Sequence, residues 1–504
     1  MNRIIKNIKS NKWCPKRQLC RAYLLLLLVG LTTHVQAETS IGDTLKLSIE
    51  DAIVLAQKQS LSAIMAKNRL QTSYWDYKIF RADQLPEISF QGKLPTYRRQ
   101  YNSYQHEDGS YSFVMNDNLS LSGGMSITQN LPFSGGKLTL KSALDFTRQM
   151  GRTTDNQFLS SPISLTLSQP IFGVNYMKWD RRIKPLRYEE SKAEHLEQME
   201  NVTLSTIAKY FNYLLAQSSF LITKQNLENA NKLYEVAQAR RKIGQISQSE
   251  LLQLKLTALQ AKGSLTESQS TLKARMFEIR TFLGLEETQE ITLIVPETLP
   301  ASGLDYRIIY EKAMENNPFA KNILRRQLEA DYSVATAKGN RRKINLYASF
   351  GNSGVNEELA GAYSNLANSQ VVEFGVDIPI LDWGKRKARV KMAESNRVVT
   401  ESSIKQEKIS FHQDIFLLVE NFNNQAAQLE IALEADGLAD MRYRTAMATF
   451  ISGEINILDL NDARNSRDYS KQKLISEMYS YWNYYYNIQS VCLEKISELI
   501  VSDH

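Results

Sequence analysis

Gly244-Gln-Ile-Ser-Gln-Ser-Glu-Leu251 returns later in the chain as Gly453-Glu-Ile-Asn-Ile-Leu-Asp-Leu460. Upstream of the first stretch stands Gln169-Pro-Ile-Phe172, and upstream of the second Ile378-Pro-Ile-Leu381. Pro170 precedes Gly244 by 74 residues and Pro379 precedes Gly453 by 74, so a single offset of 209 aligns both landmarks without a gap. The same offset pairs Tyr234 with Tyr443, Ala237 with Ala446, Ile246 with Ile455 and Leu251 with Leu460. A gap-free register carrying both Pro and Gly landmarks marks an internal duplication, which has to be read before any single element.

Both copies also open alike. Ser48-Ile-Glu-Asp51 and Ser302-Gly-Leu-Asp305 each set a capping Ser three residues before an acid, a helix-start signal. Ala56 aligns with Ala313 at an offset of 257, so the first copy holds 48 extra residues before its Pro landmark. After the opening helices the period changes to two. Ile88 and Phe90 alternate with polar neighbours, as do Ile163, Leu165 and Leu167, then Ile344, Leu346 and Phe350, then Val372, Phe374 and Val376. The extra segment adds Leu119, Leu121, Met125 and Ile127, then Leu138, Leu140, Leu144 and Phe146, with Ser134-Gly-Gly136 as the turn between them. Such strands are apolar on one face only. Two readings fit: a sheet with one face on a core, or tilted membrane strands, which need about 10 residues each.

The remaining length is helical. No Pro occurs from Leu186 to Val295, or from Ile380 to the C-terminus. Leu272, Met276, Ile279 and Leu283 recur in 4-3-4 spacing, and Tyr481, Tyr485, Ile488 and Cys492 repeat that spacing in the same phase, as a coiled-coil seam does. A continuous arm over 186–243 spans about 87 Å at 1.5 Å per residue. Gly244 and Gly453 then serve as the turns of two helical hairpins. The expected organisation is a first repeat over 38–300, with strands at about 86–170, an extra hairpin at about 118–147 and a long helical hairpin at about 186–284. A second repeat follows over 301–504, with strands at about 343–380 and a hairpin at about 383–497.

Charge places the protein. The formal net charge is +7 over 504 residues. Residues 1–37 carry seven basic side chains and no acid, so the rest of the chain is formally neutral and gives no case for nucleic-acid binding. A basic stretch, the apolar run Ala22–Leu31 and Val35-Gln-Ala37 read as a secretory signal cleaved after Ala37. Ten apolar residues are too few to span a bilayer, which needs about 20. No other run is apolar enough, so entry into a membrane would have to be by β-strands. Cys14 and Cys20 leave with the signal, and Cys492 has no intrachain partner.

Signal, helices, strands, long helix, Gly turn and returning helix, twice over, resemble the TolC family of outer-membrane channel proteins. The likeness covers nearly all of residues 41–497. It is carried by the paired openings with Asn316-Asn-Pro318, by Gln169-Pro-Ile-Phe172, by Ile378-Pro-Ile-Leu-Asp-Trp-Gly-Lys-Arg-Lys-Ala388 and by Gly453-Glu-Ile-Asn-Ile-Leu-Asp-Leu-Asn-Asp-Ala463. The resemblance implies an α+β membrane protein in which three copies share one outer-membrane β-barrel, continuous with a periplasmic coiled-coil tunnel. It implies a passive exit channel of a Gram-negative outer membrane, serving a tripartite efflux pump or a type I secretion system. Its partners would be a periplasmic adaptor, an inner-membrane transporter of RND or ABC type, and outer-membrane lipids. Six strands per chain would make 18 in a trimer and the usual four would make 12; the pattern leaves both open.

By the motif, Asp459 and Asp462 fall where acids ring the tunnel's periplasmic entrance, and Glu250 is the first-copy equivalent of Asp459. Three copies of such acids would attract cations and raise one another's pKa values; acids beside an exposed turn can equally be solvated only. Phe450 stands where the family has a tip aromatic, and Ile455 where a basic residue often sits. Pro170, Pro379 and Gly384 mark the strand-to-helix junctions, where Lys385-Arg-Lys387 begins a helix or meets lipid headgroups. The tyrosines at 479–486 have helical spacing and read as packing. Tyr97, Tyr101, Tyr104 and Tyr111 read as an interfacial girdle or as loop residues. His106, His195, His412 and His504 lack metal-ligand spacing, and Ser134-Gly-Gly-Lys137 lacks the phosphate-loop pattern. The expectation is therefore no enzyme, no cofactor and no metal. The rival reading is a periplasmic coiled-coil adaptor or scaffold, which would usually show one hairpin rather than two.

Overall fold

The computed structural model describes residues 45–150, 154–286, 289–296, 303–341, 344–364, 366–375 and 381–496. The expected signal at 1–37, Ser302, and Ile378 with Pro379 lie outside them. The described residues divide into two units, a small one of Leu45 with residues 289–292 and a large one holding the rest. In the small unit the Leu45 N–H donates to the Glu290 carbonyl at 2.9 Å.

The large unit starts with the ends of two short strands, β1 (Leu45–Leu47) and β6 (Ile291–Leu293), held by Tyr210 and by Gln217, which accepts the Leu293 amide at 3.3 Å. Buried Tyr210 donates its hydroxyl to the carbonyls of Leu47 at 3.1 Å and Ile294 at 2.5 Å. Burial raises the pKa of that phenol, which stays a donor. Helices α1 (Ile49–Gln59) and α2 (Leu61–Ala82) are capped in turn by Ser48 and Ser60, whose hydroxyls accept the amides of Asp51 and Ala63. Their counterparts in the second copy are α5 (Tyr306–Asn316) and α6 (Pro318–Asn340). The cap of α5 is Asp305, which accepts from the Arg307 amide at 2.7 Å, and not the upstream Ser302 expected from the pattern. Asp305 stands one residue before the first helical turn, where its short carboxylate reaches the free amides. Asn317 with Pro318 at the first helical position starts α6.

Six antiparallel strands form one sheet in the order β2 (Glu87–Gln105), β3 (Tyr111–Leu131), β4 (Gly136–Met150), β5 (Thr154–Ile171), β7 (Ile344–Asn356) and β8 (Ala367–Gly375). The extra segment of the first copy thus supplies β3 and β4, in register with their neighbours. Its strands are longer than the sequence pattern suggested, because hydrogen-bonded pairing of β2 with β3 continues to Gln105↔Tyr111 through residues that do not alternate strictly. A short helix, α7 (Leu359–Ser364), interrupts the connection from β7 to β8, and the Ser160 hydroxyl donates to its Ala362 carbonyl.

Register carries the alternation across the whole sheet. Ile88 faces Ile127, which faces Leu140, then Leu165, then Phe350: one continuous apolar row over five strands. These five side chains are 40 to 65 % exposed. The opposite face is polar, with hydroxyl pairs Ser89–Ser126 at 2.9 Å and Thr166–Ser349 at 3.2 Å across the strands.

Below the sheet run two helical hairpins: α3 (Tyr176–Lys242) with α4 (Gln248–Leu283), and α8 (Lys385–Ser452) with α9 (Ile457–Cys492). At 67 and 68 residues, the long arms extend about 100 Å each. The first starts ten residues earlier than the Pro-free window suggested and passes through Pro185. A proline removes one helical hydrogen bond, and packing compensates here: Ile183 is buried and Lys184 pairs with Asp76 of α2 at 3.0 Å. Seam residues Ile279, Leu283, Tyr481, Ile488 and Cys492 are buried. Trp482 stacks on Tyr486 and Tyr481 lies 5.2 Å from Phe422, so that aromatic run is core. α2, α3, α6 and α8 lie side by side in that order. Between α3 and α6, buried Glu190 accepts from Asn322 Nδ2 at 2.8 Å and from two nitrogens of Arg325. No helix among the described residues is long and apolar enough to cross a membrane.

Candidate functional site

The two hairpin turns come together at the end remote from the sheet. Gly244 and Gly453 adopt φ of +77° and +91°, in the left-handed region where a Cβ is costly. Gly453 donates to the Thr449 carbonyl at 3.1 Å and closes α8. Arg240 crosses between the hairpins and donates to the Ile451 carbonyl at 2.6 Å. One small core joins them: Tyr443, Leu460 and Ala463, with Leu233, Met447, Phe450 and Ile455 packed against it. Phe450 and Ile455 are therefore anchors of the tip's interior within a single chain. Ile455 takes an apolar place where the family pattern often has a base.

A polar network backs this core. Arg467, itself buried, lies 4.0 Å above the Tyr443 ring, donates to Asn226 at 2.8 Å and pairs with Asp468 at 2.6 Å. Asn226 in turn donates to Asp468 at 2.7 Å, and Asn229 to the Tyr443 hydroxyl at 3.0 Å. Arg467 and Asn226 are 241 residues apart, and neither belongs to a short motif, so only the fold brings them together.

The three acids expected from the pattern have different surroundings. Glu250 completes a capping box with Ser247: the Ser247 amide donates to its carboxylate at 2.7 Å and the Ser247 hydroxyl accepts the Glu250 amide at 3.1 Å. Those bonds hold its pKa below the usual carboxylate range. Asp462 is exposed and paired with Arg442 at 2.6 Å. Asp459 sits in the first turn of α9, exposed, with its amide bound to the cap Asn456 at 3.0 Å and no ion-pair partner among the described residues. Asp459 and Asp462 are exposed on α9, and each is followed by a buried residue, Leu460 and Ala463. Of these two acids on α9, Asp459 is uncompensated and Asp462 is held by an arginine, while among the described residues Glu454 in the turn itself accepts only from the Ser452 hydroxyl at 3.1 Å.

The strand-to-helix junction is built by a residue that the pattern did not single out. Asp382 accepts the amides of Gly384 at 3.0 Å and Arg386 at 3.1 Å, which lowers its pKa, while Gly384 at φ +83° begins α8 without a side-chain cap of its own. Pro170 lies near the end of β5, opposite Asn345. No group of three His, Cys, Asp or Glu able to hold a metal occurs among the described residues.

The family model described as outer membrane efflux protein matches residues 52–285 and 309–488. No curated protein sequence matches the chain. Among solved structures, the CmeC outer membrane channel of Campylobacter jejuni superposes with a TM-score of 0.63 at 15 % identity, over 90 % of this chain and 88 % of that one. The outer membrane protein VceC of Vibrio cholerae gives 0.61 at 13 % identity, over 89 % and 96 %. The open state of the MtrE channel of Neisseria gonorrhoeae gives 0.57 at 14 %, over 88 % of each chain. At these identities the likeness is one of fold.

Proposed function

The chain belongs to the outer membrane efflux protein family, and from that membership we propose that it is a passive, trimeric exit duct of a Gram-negative outer membrane. Its adaptor and inner-membrane transporter would be those of a tripartite efflux or type I secretion system. The observation that carries this reading is the exposed apolar row Ile88–Ile127–Leu140–Leu165–Phe350 on a sheet whose other face is polar. Water disfavours such a row, and lipid covers it without further packing. The outer edges of β2 and β8 are unpaired in a single copy. Closure of three sheets edge to edge satisfies both and supports a wall of 18 strands, three times six. Helical arms of about 100 Å suit a tube across the periplasm better than a compact domain.

At the tip, three copies would bring three free Asp459 carboxylates and three Asp462–Arg442 pairs towards one axis. Such a ring favours cations and restricts the entrance. The reading is tested by chemical crosslinking in detergent together with conductance in planar bilayers. Trimers and discrete channels are expected; monomers without conductance would refute it.

A further inference from the structure

Directly beneath β7, a groove of about 940 Å³ runs between α6 and α8. Its wall extends from Arg326 to Arg341 along α6, about 20 Å at the helical rise. Its charge is unevenly distributed. At the lower end Arg326 is paired with Glu407 at 2.5 Å and Arg397 with Asp331 at 3.5 Å. At the upper end stand Arg341, Arg386 and Arg389. None of these three makes an ion pair with a described carboxylate, and Arg386 donates instead to the Arg341 carbonyl at 3.1 Å. Between the two ends the wall is apolar, through Ala330, Ala337 and Met392.

The first copy carries its basic residues at other positions of the same turns, Lys178, Arg181 and Arg182, and Arg181 donates to the Gln84 side chain at 3.2 Å. At the offsets that align the two copies, Arg341, Arg386 and Arg389 correspond to Gln84, Met177 and Asp180. The groove is far longer than a headgroup layer, which is roughly 5–7 Å on each side of the hydrocarbon core. Asn345 at its upper end belongs to the polar row of β7, the face that would line a pore.

We propose that this groove binds an elongated organic anion, a sulfonate, phosphate or carboxylate head on an apolar body, as a station on the cargo path. The head lies against Arg341, Arg386 and Arg389, and the body lies along Ala330, Ala337 and Met392. The planar guanidinium fork of arginine suits anions that offer two oxygens side by side. The placement on a cargo path rests on the exit-duct reading; the anion site itself rests on the groove alone.

The test uses the full protein in phosphatidylcholine nanodiscs and the dye pyranine, a pyrene trisulfonate, with binding followed by fluorescence anisotropy. The triple change Arg341→Gln, Arg386→Gln and Arg389→Gln should weaken binding by roughly tenfold or more, the loss expected for one charge-assisted hydrogen bond. The triple Lys variant should keep most of the affinity, which separates loss of charge from loss of fold, and cationic acridine orange should not compete. Equal pyranine affinity in wild type and Gln variant would overturn the inference, even in a channel that conducts normally. Displacement of the dye by phosphatidylglycerol added to the nanodiscs would make a lipid headgroup the occupant and overturn the cargo assignment. Arginine-dependent binding in a protein that forms no channel in planar bilayers would uphold the anion site and refute the duct.

Discussion

Removal of residues 100–153 from the chain, with Arg99 joined to Thr154 through an Asn-Gly turn, should narrow the barrel by a third. The excised stretch contains β3 and β4 whole and leaves the bases of β2 and β5 untouched. It also preserves which face is apolar: Ile88 reaches Leu165 through Ile127 and Leu140 in the present register, and loses only those two intermediates. Strands about 4.8 Å apart and tilted by about 40° each occupy roughly 6.3 Å of circumference. Eighteen strands then enclose a wall of about 36 Å diameter, and twelve one of about 24 Å. Electron cryo-microscopy of the detergent-solubilised trimer resolves that difference directly. Conductance should change little, because in the proposed duct the hairpin tips, and not the barrel, would be the narrow point in series. A wild-type wall of about 24 Å, with two strands of each copy outside it, would refute the six-strand reasoning. So would a deletion variant that keeps the wider wall.

Asp459→Asn should lower cation selectivity and divalent block in planar bilayers more than Asp462→Asn does, since Arg442 already compensates Asp462; equal effects would remove the distinction. Arg442→Gln should act in the opposite direction and raise cation selectivity. Arg325→Ala strands the Glu190 carboxylate between α3 and α6 with Asn322 as its remaining donor, at a cost of about 3–5 kcal/mol in a denaturant titration. The double change Glu190→Leu with Arg325→Met should recover most of that loss, and a double variant as unstable as the sum of the singles counts against the buried pair. Burial, with the Glu494 carboxylate nearby, pushes the Cys492 thiol up to about 12. Its alkylation at about pH 8 in the native protein should therefore run about a thousandfold or more below a free thiol, and rapid labelling would show that the α9 end opens.

Local order was legible in the sequence because strand and helix periods are written into adjacent residues. Ile88, Ile127, Leu140 and Leu165 announced an apolar face before any partner was known, and Gly244 and Gly453 announced turns by the cost of a Cβ there. What the pattern could not carry is the identity of partners distant along the chain. Glu190 meets Arg325 across 135 residues, and Asn226 meets Arg467 across 241. Helix α3 runs through Pro185 because packing on α2 outweighs one lost hydrogen bond, a comparison that no local rule makes. The same limit explains the acids at the tip. Spacing put Glu250 and Asp459 at equivalent places, yet Ser247 engages the first as a helix cap, whereas Asn456 caps the second helix with its own side chain and leaves Asp459 free.

The duplication is thus conserved in backbone and divergent in charge. Two copies that share turns place Asp462 against Gln253 at one end, and Arg389 against Asp180 at the other. Backbone symmetry follows from burial and hydrogen bonding, which tolerate many side chains of one class. Exposed charge is under no such constraint, so each copy can carry its own. In the proposed trimer the two copies would present different charges around the axis, Asp462 with Gln253 at the tip and Arg389 with Asp180 at the junction. Selection of cargo would then act on the second copy's Arg341, Arg386 and Arg389 without disturbing the packing that the first copy shares with it.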